Sequence, residues 1–292
     1  MHADKGHADN GPAHSGTHAG TPAGPDDDAL AAPAVARAMR PEARARLALR
    51  VVASTASTNT DLLAAAAALP SGTVLAAEAQ TGGRGRRGRT WHAEPGASLA
   101  FSVLWVFSRP AAGLAGLSLV VGLAVAQALE RCGAHGIRLR WPNDLLARRD
   151  GGWAKLGGIL IELAGRDREA AAVIGIGLNV RPLADARGIG QPVTDLASLG
   201  VRLSRNHLLA AVLDELAAVL PAFDAGGLAP FAAAWHARHA FAGQRVTVAG
   251  DTGTAVTGVA AGIDTDGALL IDTADGRRRV ITGDVGLQPP GA

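Results

Sequence analysis

Gln80-Thr81-Gly82-Gly83-Arg84-Gly85-Arg86-Arg87-Gly88-Arg89-Thr90-Trp91 is the stretch on which the fold turns. Gly83, Gly85 and Gly88 formally satisfy G-x-G-x-x-G, and the apolar run Thr73 to Ala79 before them reads as a strand. A dinucleotide-binding doubly wound sheet would need a helix next, and an acid for the ribose about 20 residues on. The chain instead continues Arg-Thr-Trp-His-Ala-Glu-Pro-Gly, with no acid between Glu94 and Glu130, which argues against that fold. No Walker A pattern exists anywhere in the chain. The stretch therefore reads as a glycine-loosened cationic loop whose amides and guanidinium groups can close around an anion. A solvated basic loop and a nucleic-acid patch stay open as readings of these residues alone.

The rest of the composition narrows the class. With 292 residues, 48% hydrophobic and 18% charged, the chain has room for about two domains and a sizeable core. A net charge of +2 does not mark the whole surface for nucleic acid, so the local arginine cluster matters more. Cys132 is the only cysteine, which excludes an internal disulfide or a cysteine-based zinc cluster and fits a reducing compartment. Of 28 basic residues only Lys5 and Lys155 are lysine. Lys155 suits a site that needs a compact ammonium rather than a planar fork.

In chain order, residues 1 to 44 are rich in Gly, Ala, His, Pro and Asp and are expected to be a disordered tail. Its His2, His7, His14 and His18 have no metal-ligand spacing. No signal peptide is visible, and the Leu114 to Leu129 run is too short for a membrane span, so a cytoplasmic protein is expected. Ser57-Thr58-Asn59-Thr60 supplies cap residues for a helix over 61–69, and its hydroxyls would lie where a small polar ligand can be held. Thr73 to Ala79 and Ala97 to Phe107 predict strands on either side of the glycine-arginine loop. A helix from Leu114 to Cys132 comes next, then a half-buried strand over 137–141 that stops at Pro142-Asn143-Asp144. A loop over 148–152 leads to two apolar runs, 155–163 and 171–180, that read as a hairpin. Within them Gly157, Gly158, Gly175 and Gly177 mark a close approach of backbone or ligand. Helices over 205–223 and 228–239 come after the hairpin, with Trp235, His236 and His239 in packing roles. Short strands and tight turns from Phe241 onward predict a small barrel.

Ser57-Thr58-Asn59, Gln80 with Gly83 to Trp91, Trp141-Pro142-Asn143-Asp144, Lys155-Leu-Gly-Gly-Ile-Leu-Ile-Glu162 and Gly175-Ile-Gly-Leu-Asn179, in this order, closely resemble biotin protein ligase. The resemblance implies an α+β fold: a mixed sheet with helices related to class II aminoacyl-tRNA synthetases, followed by an SH3-like barrel. The expected layout is a tail over 1–44, a catalytic domain over 45–239 and the barrel over 240–290.

The implied reaction activates biotin with ATP and passes it to a lysine of a biotin carboxyl carrier domain, with magnesium accompanying ATP and no direct protein ligands for the metal. By resemblance, Ser57, Thr58, Asn59, Gln80, Gly83, Gly157 and Gly158 belong to the biotin side. Arg84 and Arg86 close over biotin and the phosphates. Arg87, Gly88, Arg89, Trp91, Asn143 and Asn179 belong to the ATP side, with Trp91 against adenine. Lys155, Arg86 and Asp144 would carry the chemistry: Lys155 between carboxylate and phosphate, and Asp144 orienting the carrier lysine or accepting its proton. Longer members carry a winged helix where this chain has its tail, so a ligase without operator-DNA binding is expected, acting as a monomer or weak homodimer. Some relatives place an arginine on the last barrel strand; this chain reads Asp284-Val-Gly-Leu-Gln288, with Arg277 to Arg279 as a possible substitute. A lipoate-type ligase is the nearest rival enzyme.

Overall fold

The computed structural model describes residues 1–2, 28–165, 170–184, 189–250 and 255–288. Two short helices, α1 (Ala32–Ala38) and α2 (Pro41–Arg46), occupy part of the segment expected to be disordered. Leu30, Val35, Met39 and Ala43 are buried. Helices this short have no autonomous stability. They form because their apolar side docks on the long helix later in the chain, which sequence periodicity over six or seven residues does not reveal. His7, His14 and His18 lie outside the described residues.

Strands β1 (Ala48–Thr55) and β2 (Thr73–Gln80) are parallel, so the chain must cross over between them, and α3 (Thr58–Ala65) is that crossover. The helix starts three residues earlier than the apolar pattern suggested because Ser57 caps it, its Oγ accepting from the Thr60 amide at 3.4 Å. Then come β3 (Ser98–Phe107), α4 (Leu117–Arg131), β4 (Arg138–Arg140), β5 (Asp144–Arg149), β6 (Gly152–Ala164) and β7 (Ala170–Asn179). The sheet order is β1-β2-β3-β7-β6-β5-β4, antiparallel everywhere except β1 with β2. The expected loop at 148–152 is only the tight turn between β5 and β6.

Every residue of β7 is buried, which is why that strand reads as a continuous apolar run rather than an alternation. One face of the sheet packs on α4 and α5 (Arg205–Gly226). On the other, Leu75, Leu104, Ala171 and Val173 meet Leu62 of α3 and Ala66 at its C-cap. Each large side chain so buried contributes about 1.5–3 kcal/mol. The stretch Ala111–Arg131 is by length and hydropathy long enough to cross a bilayer, contrary to expectation from the shorter run, but it lies mostly buried against α5 and β6.

The expected helix over 228–239 is a 3-10 turn, Ala229–Phe231, followed by α6 (Ala232–His236). His239 leaves the helix to stack on buried Trp235, ring centroids 4.7 Å apart. Strands β8 (Arg245–Ala249), β9 (Ala255–Ile263), β10 (Leu269–Thr273), β11 (Gly276–Val280) and β12 (Asp284–Leu287) form a second, antiparallel sheet in the order β11-β10-β9-β8-β12. This five-stranded sheet stands where the small SH3-like barrel was expected, and among the described residues no pairing joins the edges β11 and β12. Its β11 edge carries exposed Arg277, Arg278 and Arg279, and charged edge residues discourage further pairing. The buried Trp141 joins the two units by donating its indole N–H to the Gly267 carbonyl at 2.9 Å.

Candidate active site

A cavity of about 300 Å³ opens on the α3 face of the large sheet, beyond the point where α3 stops covering it. On β7, Ala171 and Val173 pack under α3; two and four positions further along the same face stand Gly175 and Gly177. A Cβ at Gly175 would lie 2.2 Å from Asn59 Oδ1, and one at Gly177 would lie 2.3 Å from the Trp91 indole. Glycine is therefore the residue that keeps this floor open. Gly158 completes it on β6, whereas Gly157 faces away, its absent Cβ making room for Leu178.

Lys155 reaches the same cavity through a β-bulge. Leu145 pairs with Gly157 but Leu146 pairs with Lys155, so β6 carries one extra residue and Lys155 faces the same side as Gly158 and Leu160. Without the bulge, strict alternation would turn the lysine to the opposite face. Its ammonium sits 2.7 Å from Asp144 Oδ1 and 5.7 Å from the Trp91 ring centre. Arg140 donates from Nε to Asp144 Oδ2 at 3.1 Å and from Nη2 to Gln191 Oε1 at 2.8 Å. Burial alone would raise the Asp144 carboxyl, but Lys155 and Arg140 more than offset it and hold the group below the usual carboxylate range. An ionised carboxylate so held is a poor proton acceptor, so the base role expected of Asp144 does not fit its surroundings.

Behind the floor runs a chain of hydrogen bonds. The Thr58 amide donates to Gln80 Oε1 at 2.9 Å; Thr58 Oγ1, 3.1 Å from the same oxygen, lies 2.7 Å from Ser102 Oγ and donates to it, and Ser102 Oγ donates to Asn59 Oδ1 at 2.5 Å. Asn59 Nδ2 in turn donates to Glu162 Oε2 at 3.0 Å. Glu162 Oε1 ends the chain on Arg84 Nη2 at 2.8 Å, tying the glycine-arginine loop to the floor.

The loop itself is less loose than its glycines suggest. Arg84 and Thr90 form a β-bridge, the Gly85 amide donates to the Arg89 carbonyl at 2.7 Å, and the Trp91 amide donates to the Gly83 carbonyl at 2.9 Å. Those two amides are thus spent inside a small hairpin rather than turned toward a ligand. A Cβ at Gly83 would meet the Trp91 carbonyl at 2.4 Å, so glycine serves the hairpin there. Arg86 points into the cavity, 3.4 Å from Asn143 Oδ1 and 3.4 Å from the Gly283 carbonyl, and among the described residues it has no carboxylate in contact. Its pKa is lowered, first by burial, with Arg87 and Arg89 adding to the fall and Asp284 opposing it. Arg87 and Arg89 instead meet Asp284 of β12 at 3.1 and 2.9 Å. These pairs are half exposed, so each contributes under about 1 kcal/mol.

Of the residues expected at the site, Ser57, Thr58, Asn59, Gln80, Arg84, Arg86, Arg89, Trp91, Asn143, Lys155, Gly158 and Asn179 line the cavity. Asn179 also braces the neighbouring loop, its Nδ2 donating to the Thr194 carbonyl at 3.0 Å. Gly83, Arg87, Gly88 and Gly157 do not line the cavity, and Asp144 stands behind Lys155. Sequence reasoning missed Gln191, which lines the cavity, and Arg140, Ser102, Glu162 and Asp284, which hold the lining residues from outside. Only Glu162 lay in a motif, where an acid on an apolar strand was a visible oddity. Among the described residues no group of three His, Cys, Asp or Glu side chains could hold a metal ion. Glu162 is paired with Arg84 and Asp144 with Lys155.

A model of the biotin/lipoate A/B protein ligase family matches residues 51–179, and one of the biotin protein ligase C-terminal domain matches residues 241–287. The biotin--[acetyl-CoA-carboxylase] ligase of Mycobacterium tuberculosis is 40% identical over 244 residues, covering 81% of this chain and 88% of that protein. The bifunctional ligase/repressor BirA of Escherichia coli is 39% identical over 219 residues; the match takes in 74% of this chain but 66% of the relative, just under two thirds. Among solved structures, a biotin protein ligase from Aquifex aeolicus in complex with biotin and ATP has a TM-score of 0.70 and 29% identity, covering 82% of this chain and 98% of that one.

Proposed function

The chain belongs to the biotin protein ligase family, and from that premise we propose that it is an ATP-dependent biotin ligase whose two half-reactions share the cavity beneath the glycine-arginine loop. Biotin's carboxylate oxygen attacks the α-phosphorus of ATP, the bond to the β-phosphate oxygen breaks, and pyrophosphate leaves the mixed anhydride biotinyl-AMP. A carrier lysine amine then attacks the anhydride carbonyl, AMP departs, and an amide remains.

The first step brings two anions together, at a cost of about 1 kcal/mol per charge pair at ~4 Å in water and several times more in a less polar site. The observation that carries the reading is where the offsetting cations stand. Lys155 rises from the floor, and Arg84 and Arg86 reach in from the loop, around one cavity. Their positive charge stabilises the crowded phosphorus as it forms. Gln80, with its oxygen committed to Thr58, presents its amide nitrogen to the biotin head group, beside Ser57 and Gly158. Trp91, standing on Gly177, forms the wall for adenine, and Asn143 and Asn179 complete that side. Asp144 anchors Lys155 and orients the incoming amine by charge. Magnesium enters on the nucleotide's phosphates rather than in a protein cage, and neutralises the leaving pyrophosphate.

The decisive experiment incubates the purified chain with biotin, ATP, magnesium and a biotin carboxyl carrier domain and weighs the carrier by mass spectrometry. The expected result is one biotin on one lysine, lost with Lys155→Ala. Transfer of lipoate and not biotin would redirect the assignment within the same fold. The lone cysteine and the substrates point to work in the cytoplasm.

A further inference from the structure

Asp284 touches two loop arginines at once, Oδ2 meeting Arg87 Nη1 at 3.1 Å and Oδ1 meeting Arg89 Nη2 at 2.9 Å. It begins β12, and the neighbouring backbone adds to its grip: the Ala249 carbonyl accepts from Arg87 at 3.4 Å and the Gly283 carbonyl from Arg86 at 3.4 Å. Arg87 sits at φ 56, ψ 37, a left-handed conformation that an L side chain keeps only where its surroundings fix it. The loop's tip is thus held outside the catalytic unit, by the second sheet.

Among the described residues that sheet supplies no cation to the cavity. Gln288 accepts from Arg245 at 2.8 Å within its own sheet, Arg277 pairs with Asp272, and Arg279 pairs with Asp266. None of these residues lines the cavity.

We propose that Asp284 is a positioning residue that clamps Arg87 and Arg89, so that the C-terminal sheet contributes retention of the reactive adenylate rather than contact with the nucleotide. Arg87 and Arg89 then serve as latch arms, and the duty toward the phosphates falls on Arg84, Arg86 and Lys155. Because the clamp is part-exposed, it can open and reclose with each turnover, and salt weakens it. The inference rests on the ligase reading.

The test uses the full chain loaded with biotin, ATP, magnesium and pyrophosphatase in the absence of carrier, following free AMP as biotinyl-AMP escapes and hydrolyses. Asp284→Asn is expected to leak adenylate about three- to tenfold faster than wild type, the range set by two exposed ion pairs. Asp284→Glu should restore retention, and carrier biotinylation at saturating ATP should stay within about twofold of wild type. Because Asp284 also begins β12, the Arg87→Ala/Arg89→Ala double variant, which leaves the second sheet intact, must show the same leak. Wild-type retention in Asp284→Asn, or a leak absent from the double arginine variant, overturns the proposal. Failure of the wild type itself to form biotinyl-AMP sinks the ligase reading instead.

Discussion

The Lys155 ammonium lies 2.7 Å from Asp144 Oδ1 while Arg140 holds the other oxygen of the same carboxylate, so the lysine is fixed in place by an acid that is itself fixed from behind. A long lysine side chain would otherwise sample many rotamers, and catalysis by a point charge depends on where that charge stands.

Asp144→Asn should therefore act through Lys155. Adenylate formation is expected to fall at least about tenfold, equivalent to ~1.4 kcal/mol, because the ammonium loses its anchor. The transfer step, measured by single turnover from preformed biotinyl-AMP across pH 5 to 9, should keep the shape of its wild-type pH profile, since a carboxyl held this low does not titrate in that range. Disappearance of the acid limb in the variant would mean that Asp144 takes the proton after all.

Gly177→Ala tests the floor. The new methyl would meet the Trp91 indole at 2.3 Å, and the ring must move because the strand beneath it is fully buried and paired on both sides. Overpacking of this kind costs about 1–3 kcal/mol. Its expected expression is a roughly tenfold weaker ATP with nearly unchanged biotin affinity, read by titration calorimetry with each substrate alone. Equal loss for both would place Trp91 in a general packing role and remove it from the adenine side.

How much of this was legible beforehand depended on whether a residue acts by its own pattern or through a distant partner. Glycines at alternate positions on β7 and Lys155, the one lysine of the folded region in an arginine-rich chain, marked places of close approach or a site, because each broke a local rule without local compensation. Apolar runs bounded by turns marked the separate strands, whereas the mixed sheet was expected only from the resemblance to biotin protein ligase. Asp284 stood out in no such way, since its partners are nearly two hundred residues away. Arg140 looked like one half of an ordinary alternating strand, and the bulge that aims Lys155 is a property of pairing between β5 and β6 that neither strand shows alone. Helices α1 and α2 were hidden for the same reason, their stability coming from α5.

Glu162→Gln separates two jobs done by one carboxylate. Its amide can still accept from Asn59 but no longer neutralises Arg84. The expected result is a KM for biotin changed by less than about fivefold, as befits an ion pair with its arginine half exposed. Glu162→Ala, which also leaves the Nδ2 of buried Asn59 with only the Leu160 carbonyl at 3.3 Å, should lose more than the glutamine variant in both KM and thermal stability. Identical behaviour of the two variants would show that the hydrogen-bonded chain behind the floor contributes nothing to the site.

His239 gives the fold a pH dependence that can be isolated. Burial first, and the nearby His236 second, lower its pKa from 6.5 to about 4, so the folded protein keeps the ring neutral where it stacks on Trp235. Between those two values the unfolded chain binds the proton and the folded one does not, so stability falls as pH drops from about 6.5 towards 4 and is fully present above that window. The difference corresponds to a loss on the order of 3 kcal/mol. Asp144, also depressed, loses its contribution only below the ordinary carboxylate range, and so leaves this window to the histidine. Denaturant melts of wild type and His239→Phe at pH 7, 6, 5 and 4.5 should show a declining free energy for the first and a much flatter one for the second. Parallel curves would mean that the ring titrates normally and that water reaches it in the folded state.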